Sequence, residues 1–287
     1  MNIAARTAPL VLLLCAVLPA FAGEAAAPQK PIAVQMYTLR DAGTLDQQLQ
    51  IVHDAGVHAV ETVGTQNVSA AELKQLLDRY AIKVVSSHVQ LAELRNDLDS
   101  VIAFNRSIGN TTLVVPYLDE KERPTDAVGW TALGQELGRI AKRARAKGMR
   151  MAYHNHDFEL VEFDGTTGLE LLFAAAGPDL QTELDLAWVA RAGHDPALML
   201  GKFRGRVFAV HAKDNAPKGQ AEDEGGFAAV GQGVLDWNTI LPAAAAAGVQ
   251  WYILEHDHPR DPATVIQTGA DYLRNHLTAT LPASAAR

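Results

Sequence analysis

From residue 31 onward the chain repeats one pattern eight times. Short runs of β-branched and apolar residues alternate with longer amphipathic stretches rich in Ala and Leu. The runs predict strands at Ile32–Leu39, His58–Thr62, Lys83–Val89, Thr112–Tyr117, Arg150–His156, Gln181–Asp185, Val207–Lys213 and Trp251–Glu255. Their starts lie 25 to 44 residues apart, enough for one strand, one helix and two short loops. Helix punctuation agrees. Ser69-Ala70-Ala71-Glu72 reads as a capping box, in which Ser satisfies a free amide and Glu reaches back. Asp195-Pro196 and Asp261-Pro262 each place an N-cap acceptor before a Pro at the first helical position. Gly56, Gly148 and Gly248 each close an amphipathic stretch just before a strand, as left-handed C-caps do.

Alternating strands and helices with right-handed crossovers make a parallel sheet. An open sheet for a dinucleotide carries a Gly-rich first turn, whereas the first strand here runs into Arg40-Asp41-Ala42-Gly43-Thr44. The expected fold is therefore α/β, a single (β/α)8 TIM barrel over residues 31–278 with a C-terminal tail at 279–287. Met1 to Ala22 stands apart. Arg6 precedes an apolar run from Ala8 to Phe21, and Ala20-Phe21-Ala22 is a small-x-small cleavage pattern, so residues 1–22 read as a secretory signal. Residues 23–30 read as a flexible leader, and the expected location is periplasmic or secreted.

Composition then narrows the partners. The 287 residues are 48% hydrophobic and 20% charged, an ordinary globular composition that excludes disordered and collagen-like classes. The net charge of −8 argues against nucleic acid and anionic membranes, which need a basic footprint. Loss of the signal removes Arg6 and the single Cys15, leaving 24 basic against 33 acidic side chains and no thiol. No membrane partner is expected after cleavage.

The polar residues cluster where a barrel puts its site, at the C-terminal strand ends. These ends carry Glu61, His88, His154-Asn155-His156, Asp185, His211-Ala212-Lys213-Asp214 and Glu255-His256-Asp257. Alternation lets His154 and His156, His211 and Lys213, and Glu255 and Asp257 share a face. Singly each has a plain alternative: Asp185 as a helix cap, Glu61 in an ion pair, Lys213 as a solvated rim residue. His53, His58, His194, His258 and His276 read as unrelated to the site. Jointly, imidazoles and carboxylates on four successive strands supply the N/O ligand set of a catalytic divalent site. Gly225-Gly226 to Gly231-Gln232-Gly233, after the seventh strand, reads as an active-site flap or a simple loop.

These stretches, with Gln35-Met36-Tyr37-Thr38-Leu39-Arg40, Tyr153-His154-Asn155-His156-Asp157-Phe158-Glu159 and Leu184-Asp185-Leu186-Ala187-Trp188-Val189, make the chain resemble the xylose-isomerase-like barrels, the sugar phosphate isomerase/epimerase group. The resemblance implies a divalent metal (Mn, Zn, Co or Mg) held by His154, Asp185, His211 and Glu255. It implies proton abstraction next to a carbonyl, with Glu255, His156 or Glu61 as base and Lys213 stabilising the oxyanion. His88, Tyr37, Trp188 and Asp257 are expected at the substrate. Many members carry Glu where His154 stands, so a two-carboxylate proton shuttle is not indicated. An exported sugar isomerase or epimerase is the expected activity. A lyase or hydrolase of 3-keto-glycosides, a non-catalytic sugar-binding barrel and a metal-dependent phosphodiesterase are the alternatives.

Overall fold

The computed structural model describes residues 30–278. The expected signal, the tail and all of the leader but Lys30 lie outside these residues. Eight strands form the barrel: β1 (Ile32–Gln35), β2 (Ala59–Val63), β3 (Lys83–His88), β4 (Thr112–Val115), β5 (Arg150–His154), β6 (Leu180–Asp185), β7 (Val207–Ala212) and β8 (Trp251–Leu254). Each pairs in parallel with its sequence neighbour, and β8 closes onto β1. The single (β/α)8 barrel expected from the sequence is thus the observed fold.

Several strands are shorter than their apolar runs. β1 stops at Gln35, whose side chain accepts from the Tyr37 amide and turns Met36–Leu39 into a 3-10 helix. Met36 and Leu39 are still buried, so the hydrophobic pattern continues where the ladder has ended. The predicted caps form at Asp195, Asp261, Gly56, Gly148 and Gly248. At Ser69 only the Ser half of the box is made. Complete boxes occur instead at Thr44 with Gln47 and Thr167 with Glu170.

The main core lies between sheet and helices. Its tightest seam joins the helices Ala127–Ala146 and Gly168–Ala176. A Cβ at Gly134 would stand 2.2 Å from the Leu172 carbonyl oxygen, and one at Gly138 2.1 Å from that of Ala176. A second, smaller core fills the barrel interior with Ala33, Ala59, Val85, Phe208, Ala209, Trp251 and Ile253. This apolar floor positions the site. Two residues further along their strands, Ala33, Ala59, Ala209 and Ile253 give way to Gln35, Glu61, His211 and Glu255.

Two register shifts re-aim side chains. β2 and β3 slip between Val60 and Glu61, and β6 and β7 slip between Thr182 and Glu183. Each slip leaves one residue, Val85 or Phe208, without a ladder partner, as a bulge does. Strict alternation would put Val85 and His88, three apart, on opposite faces. The slip lets both point into the barrel.

Candidate active site

Above the apolar floor lies a layer of buried polar groups. Glu61 Oε1 is 3.0 Å from His88 Nε2 and 2.9 Å from His211 Nε2. Glu183 Oε1 is 2.9 Å from the same two nitrogens. Gln35 Nε2 donates to Glu61 Oε1 at 2.7 Å and lies 3.1 Å from His88 Nδ1. Higher up, His211 Nδ1 sits 2.8 Å from Glu255 Oε2. Lys213 Nζ reaches Glu255 Oε2 at 2.8 Å, Asp257 Oδ2 at 2.7 Å and Asp185 Oδ2 at 2.9 Å. Lys213 is 0% exposed, not a solvated rim residue.

Asp185 does cap a helix, as its plain alternative has it. One oxygen caps the helix Leu186–Arg191 by accepting from the Trp188 amide at 2.8 Å, and the other faces Lys213. The Asp185 amide donates to Asn155 Oδ1 at 3.0 Å, locking the loop after β5 to the end of β6.

Burial and charge set the protonation states. Burial and the neighbouring His211 hold His154 well below the ordinary imidazole value, and burial and His154 do the same to His156. Both rings are neutral at neutral pH. Burial opposes the charge on His211, but Glu255 and Glu183 outweigh it and keep that ring protonated. His88 behaves alike: Glu61 and Glu183 overcome burial and raise it to about 9. Burial would raise Glu255, yet Lys213 and His211 hold it well below the carboxylate range. Burial also works against the Lys213 ammonium, but Asp185, Glu255 and Asp257 keep it firmly protonated.

The donor set suits a divalent cation. Glu61, Glu183, Asp185, Glu255 and Asp257 converge on a single ammonium and two protonatable rings, so negative charge stays in excess even with both rings charged. His154 Nδ1, Glu61 Oε2 and Glu183 Oε2 are buried without a hydrogen-bond partner. Two overlapping quartets bring one ligand atom each within 4.8 Å of one another: His154, Asp185, His211 and Glu255, and His88, His154, Glu183 and His211. The first is the quartet expected from the sequence. Glu183 was not among the expected residues, although it stands two before Asp185 and alternation puts both on one face.

A cavity of about 520 Å³ opens onto this cluster at His88, His154, His156, Trp188, Glu255 and Asp257. Tyr37 and, against the plain reading, His258 stand at its mouth. Glu61 and Lys213 are fully buried and do not line it, so neither is placed to touch a ligand there. Trp130, Trp237 and Trp251 pack in the core. Behind the wall, Glu159 accepts from the His156 amide and the Tyr153 hydroxyl, both at 2.9 Å. Burial pushes its carboxyl up to about 8. The Gly-rich loop is a fixed cover. Asp214 accepts from the Gly231 and Leu235 amides and from Trp237 Nε1. A Cβ at Gly233 would stand 2.3 Å from Asp214 Oδ1. Phe227 seals Lys213 from outside, with Nζ 4.7 Å from its ring.

Comparison with known proteins follows this geometry. Residues 49–276 match a family model described as the xylose isomerase-like TIM barrel. The rhizopine catabolism protein MocC of Rhizobium meliloti is 26% identical over 251 residues, 76% of this chain and 75% of that protein. An inosose dehydratase of Lacticaseibacillus casei is 29% identical over 160 residues, 50% of this chain and 52% of the enzyme. Among solved structures, a sugar phosphate isomerase/epimerase of Parabacteroides distasonis superposes with a TM-score of 0.72 at 19% identity, covering 90% of this chain and 99% of that one. The IolI protein, solved with a bound zinc atom, gives 0.67 at 16% identity, covering 87% and 100%. At these identities the two structures speak to fold alone.

Proposed function

The chain belongs to the xylose isomerase-like TIM barrel family, and from that premise we propose that it is a metal-dependent enzyme removing the proton next to the carbonyl of a keto-sugar or keto-cyclitol. His154, Asp185, His211 and Glu255 would hold the cation, as the excess of buried carboxylates and the orphaned His154 Nδ1 support. A divalent ion held there would supply Lewis-acid chemistry, polarising a carbonyl and acidifying the adjacent C–H. The chain's residues supply the rest. His156 lines the cavity as a neutral ring and serves as the base. Glu159 holds the His156 backbone, and Trp188 covers the ring at a centroid distance of 5.4 Å. Lys213 does not touch substrate; it fixes Glu255 and Asp257.

The observation that carries the reading is His154 at the end of β5 beside a neutral His156, where a proton shuttle would need a carboxylate facing Glu255. With an imidazole rather than a carboxylate at that strand end, loss of a β substituent is taken as the first reading. The likeness to inosose dehydratases supports elimination as well. Isomerisation or epimerisation is the second reading, favoured by the fold-level likeness to sugar phosphate isomerase/epimerases. Export of the mature chain, with the signal cut after Ala22, belongs to the same proposal. The test is NMR of keto-sugars and inososes with Mn²⁺-loaded protein in D₂O. The expected result is an unsaturated product, made by the wild type and lost in His156→Gln. A deuterated epimer or isomer would instead establish the second reading. Turnover undiminished in His156→Gln and in metal-stripped protein would refute both base and metal.

A further inference from the structure

The net charge of −8, which speaks against an anionic partner, is a sum over unevenly placed charges. Between Gly138 and Arg150 stand six basic residues, Arg139, Lys142, Arg143, Arg145, Lys147 and Arg150, and no acidic one. They occupy the C-terminal part of the helix Ala127–Ala146, the turn after it and the first residue of β5. All six are exposed. Arg106 joins them from the last turn of the helix Leu98–Ser107. It is exposed, and its guanidinium donates to the Lys147 carbonyl. Because β5 begins here, the group lies at and beside the base of the barrel. The cavity opens at the other end, where the strands finish.

Few acids answer these cations. Lys147 pairs with Asp99 at 2.6 Å and Arg145 with Asp179 at 2.5 Å. Glu136, the one acid of the helix Ala127–Ala146, is held by Arg95 at 2.7 Å. The other five basic residues of the group make no ion pair within 4.0 Å among the described residues. Helix electrostatics account for only part of the arrangement. A cation gains from the helix dipole in the last turn, which holds Arg143 and Arg145 but neither Arg139 nor Lys142. Like charges four residues apart oppose a helix. Arg139 with Arg143, and Arg143 with Lys147, are two such pairs in succession. The folded chain bears this repulsion without contacts of its own that offset it.

The surroundings narrow the partner. The large exposed apolar side chains among the described residues all lie elsewhere. This face therefore offers nothing to stack on bases or to insert between lipid tails, and it meets a broad anionic surface through charge alone. Lys30 lies at the same base, its ammonium donating to the Leu277 carbonyl at 2.6 Å. The segment that carries the apolar run Ala8 to Phe21 is thus joined to the barrel at its basic end. A bilayer is the surface to which such a segment directs a chain. We propose that the basic face docks on an anionic lipid surface and holds the barrel with its cavity turned away from the membrane. Docking needs neither metal nor turnover, so it stands apart from the chemistry proposed for the cavity. The contact is electrostatic, and salt weakens it.

The test is sedimentation of the full chain with two kinds of vesicle, one of phosphatidylglycerol and phosphatidylcholine in equal parts, the other of phosphatidylcholine alone. Each is run in about 50 mM and about 500 mM NaCl. Tighter binding to the anionic vesicles is expected in low salt, and the preference should vanish in high salt. The double variant Lys142→Gln and Arg143→Gln should reduce the preference about 25-fold, about fivefold for each cation. Lys121→Gln with Lys218→Gln removes the same charge from exposed positions in the loops after β4 and β7, at the cavity end, and should leave the preference intact. The melting temperature of the first variant should be no lower than that of the wild type, because Arg143 stands between like charges. Equal binding to the two kinds of vesicle in low salt, or an equal loss in the two double variants, overturns the proposal. Tighter binding to duplex DNA than to the anionic vesicles at equal phosphate concentration assigns the face to nucleic acid and overturns the lipid surface.

Discussion

Glu159 offers the cleanest numerical test of the electrostatics behind the site. Its carboxyl is buried, accepts from the His156 amide and the Tyr153 hydroxyl, and is pushed by burial from 4.5 up to about 8. Below pH 4.5 the group carries a proton in both folded and unfolded chains and contributes nothing to the pH dependence. Between pH 4.5 and 8 the unfolded chain releases the proton while the folded chain keeps it. The unfolded state then binds fewer protons, so stability falls as pH rises. At 1.36 kcal/mol per unit the loss approaches about 5 kcal/mol by pH 8, and about 4 kcal/mol of it falls between pH 5 and 8. Glu159→Gln keeps the shape and an acceptor for the His156 amide but cannot ionise. Urea unfolding of both proteins at pH 5.0, 6.5 and 8.0 cancels every group they share. The wild type should lose about 4 kcal/mol relative to the variant across that range. Parallel stability curves would refute the idea that this carboxyl is held protonated behind His156.

Three further outcomes are expected. Lys213→Met leaves Asp185, Glu255 and Asp257 facing one another without their ammonium. In metal-free protein it should cost about 3–5 kcal/mol in chemical denaturation, and an unchanged midpoint would contradict the network. Stripping the protein with a chelator should lower the melting temperature, and Mn²⁺ should restore it, because a ligand bound only by the folded state stabilises it. In Asp185→Asn, which still caps the helix Leu186–Arg191, Mn²⁺ should restore much less. Gly138→Ala drives a methyl to within 2.1 Å of the Ala176 carbonyl oxygen and should destabilise by about 1–3 kcal/mol in thermal melting. Gly201→Ala, with no atom in the way, should not destabilise through a clash.

Much of this was legible before any coordinates. Eight apolar runs at regular spacing carry the barrel, because each strand must bury one face on helices and the other on its own interior. The ionisable strand ends mark the candidate site, because a parallel barrel gathers those ends on one face, and the family resemblance singles out His154, Asp185, His211 and Glu255 among them. Asp195-Pro196 and Asp261-Pro262 announced their helices through local backbone chemistry alone.

What the sequence could not supply was the parity and depth of individual side chains. The slips opposite Val85 and Phe208 shift alternation by one residue, and only the pairing of neighbouring strands reveals them. Lys213, expected at the oxyanion or as a rim residue, is instead buried, with Phe227, fourteen positions later, folded over it. Glu61, read as a possible base, proves to be walled in by Gln35, His88 and His211 from three other strands. Tyr117 and Arg123 carry no motif, Phe158 stands in the Tyr153 to Glu159 stretch, and their convergence at the cavity is set by the loops after β4 and β5. Local pattern determined the elements and the kind of chemistry, because periodicity and residue type are properties of the chain itself. Which groups touch, which stay charged and which meet a ligand depend on distances between strands far apart in sequence, and only the closed barrel decides those.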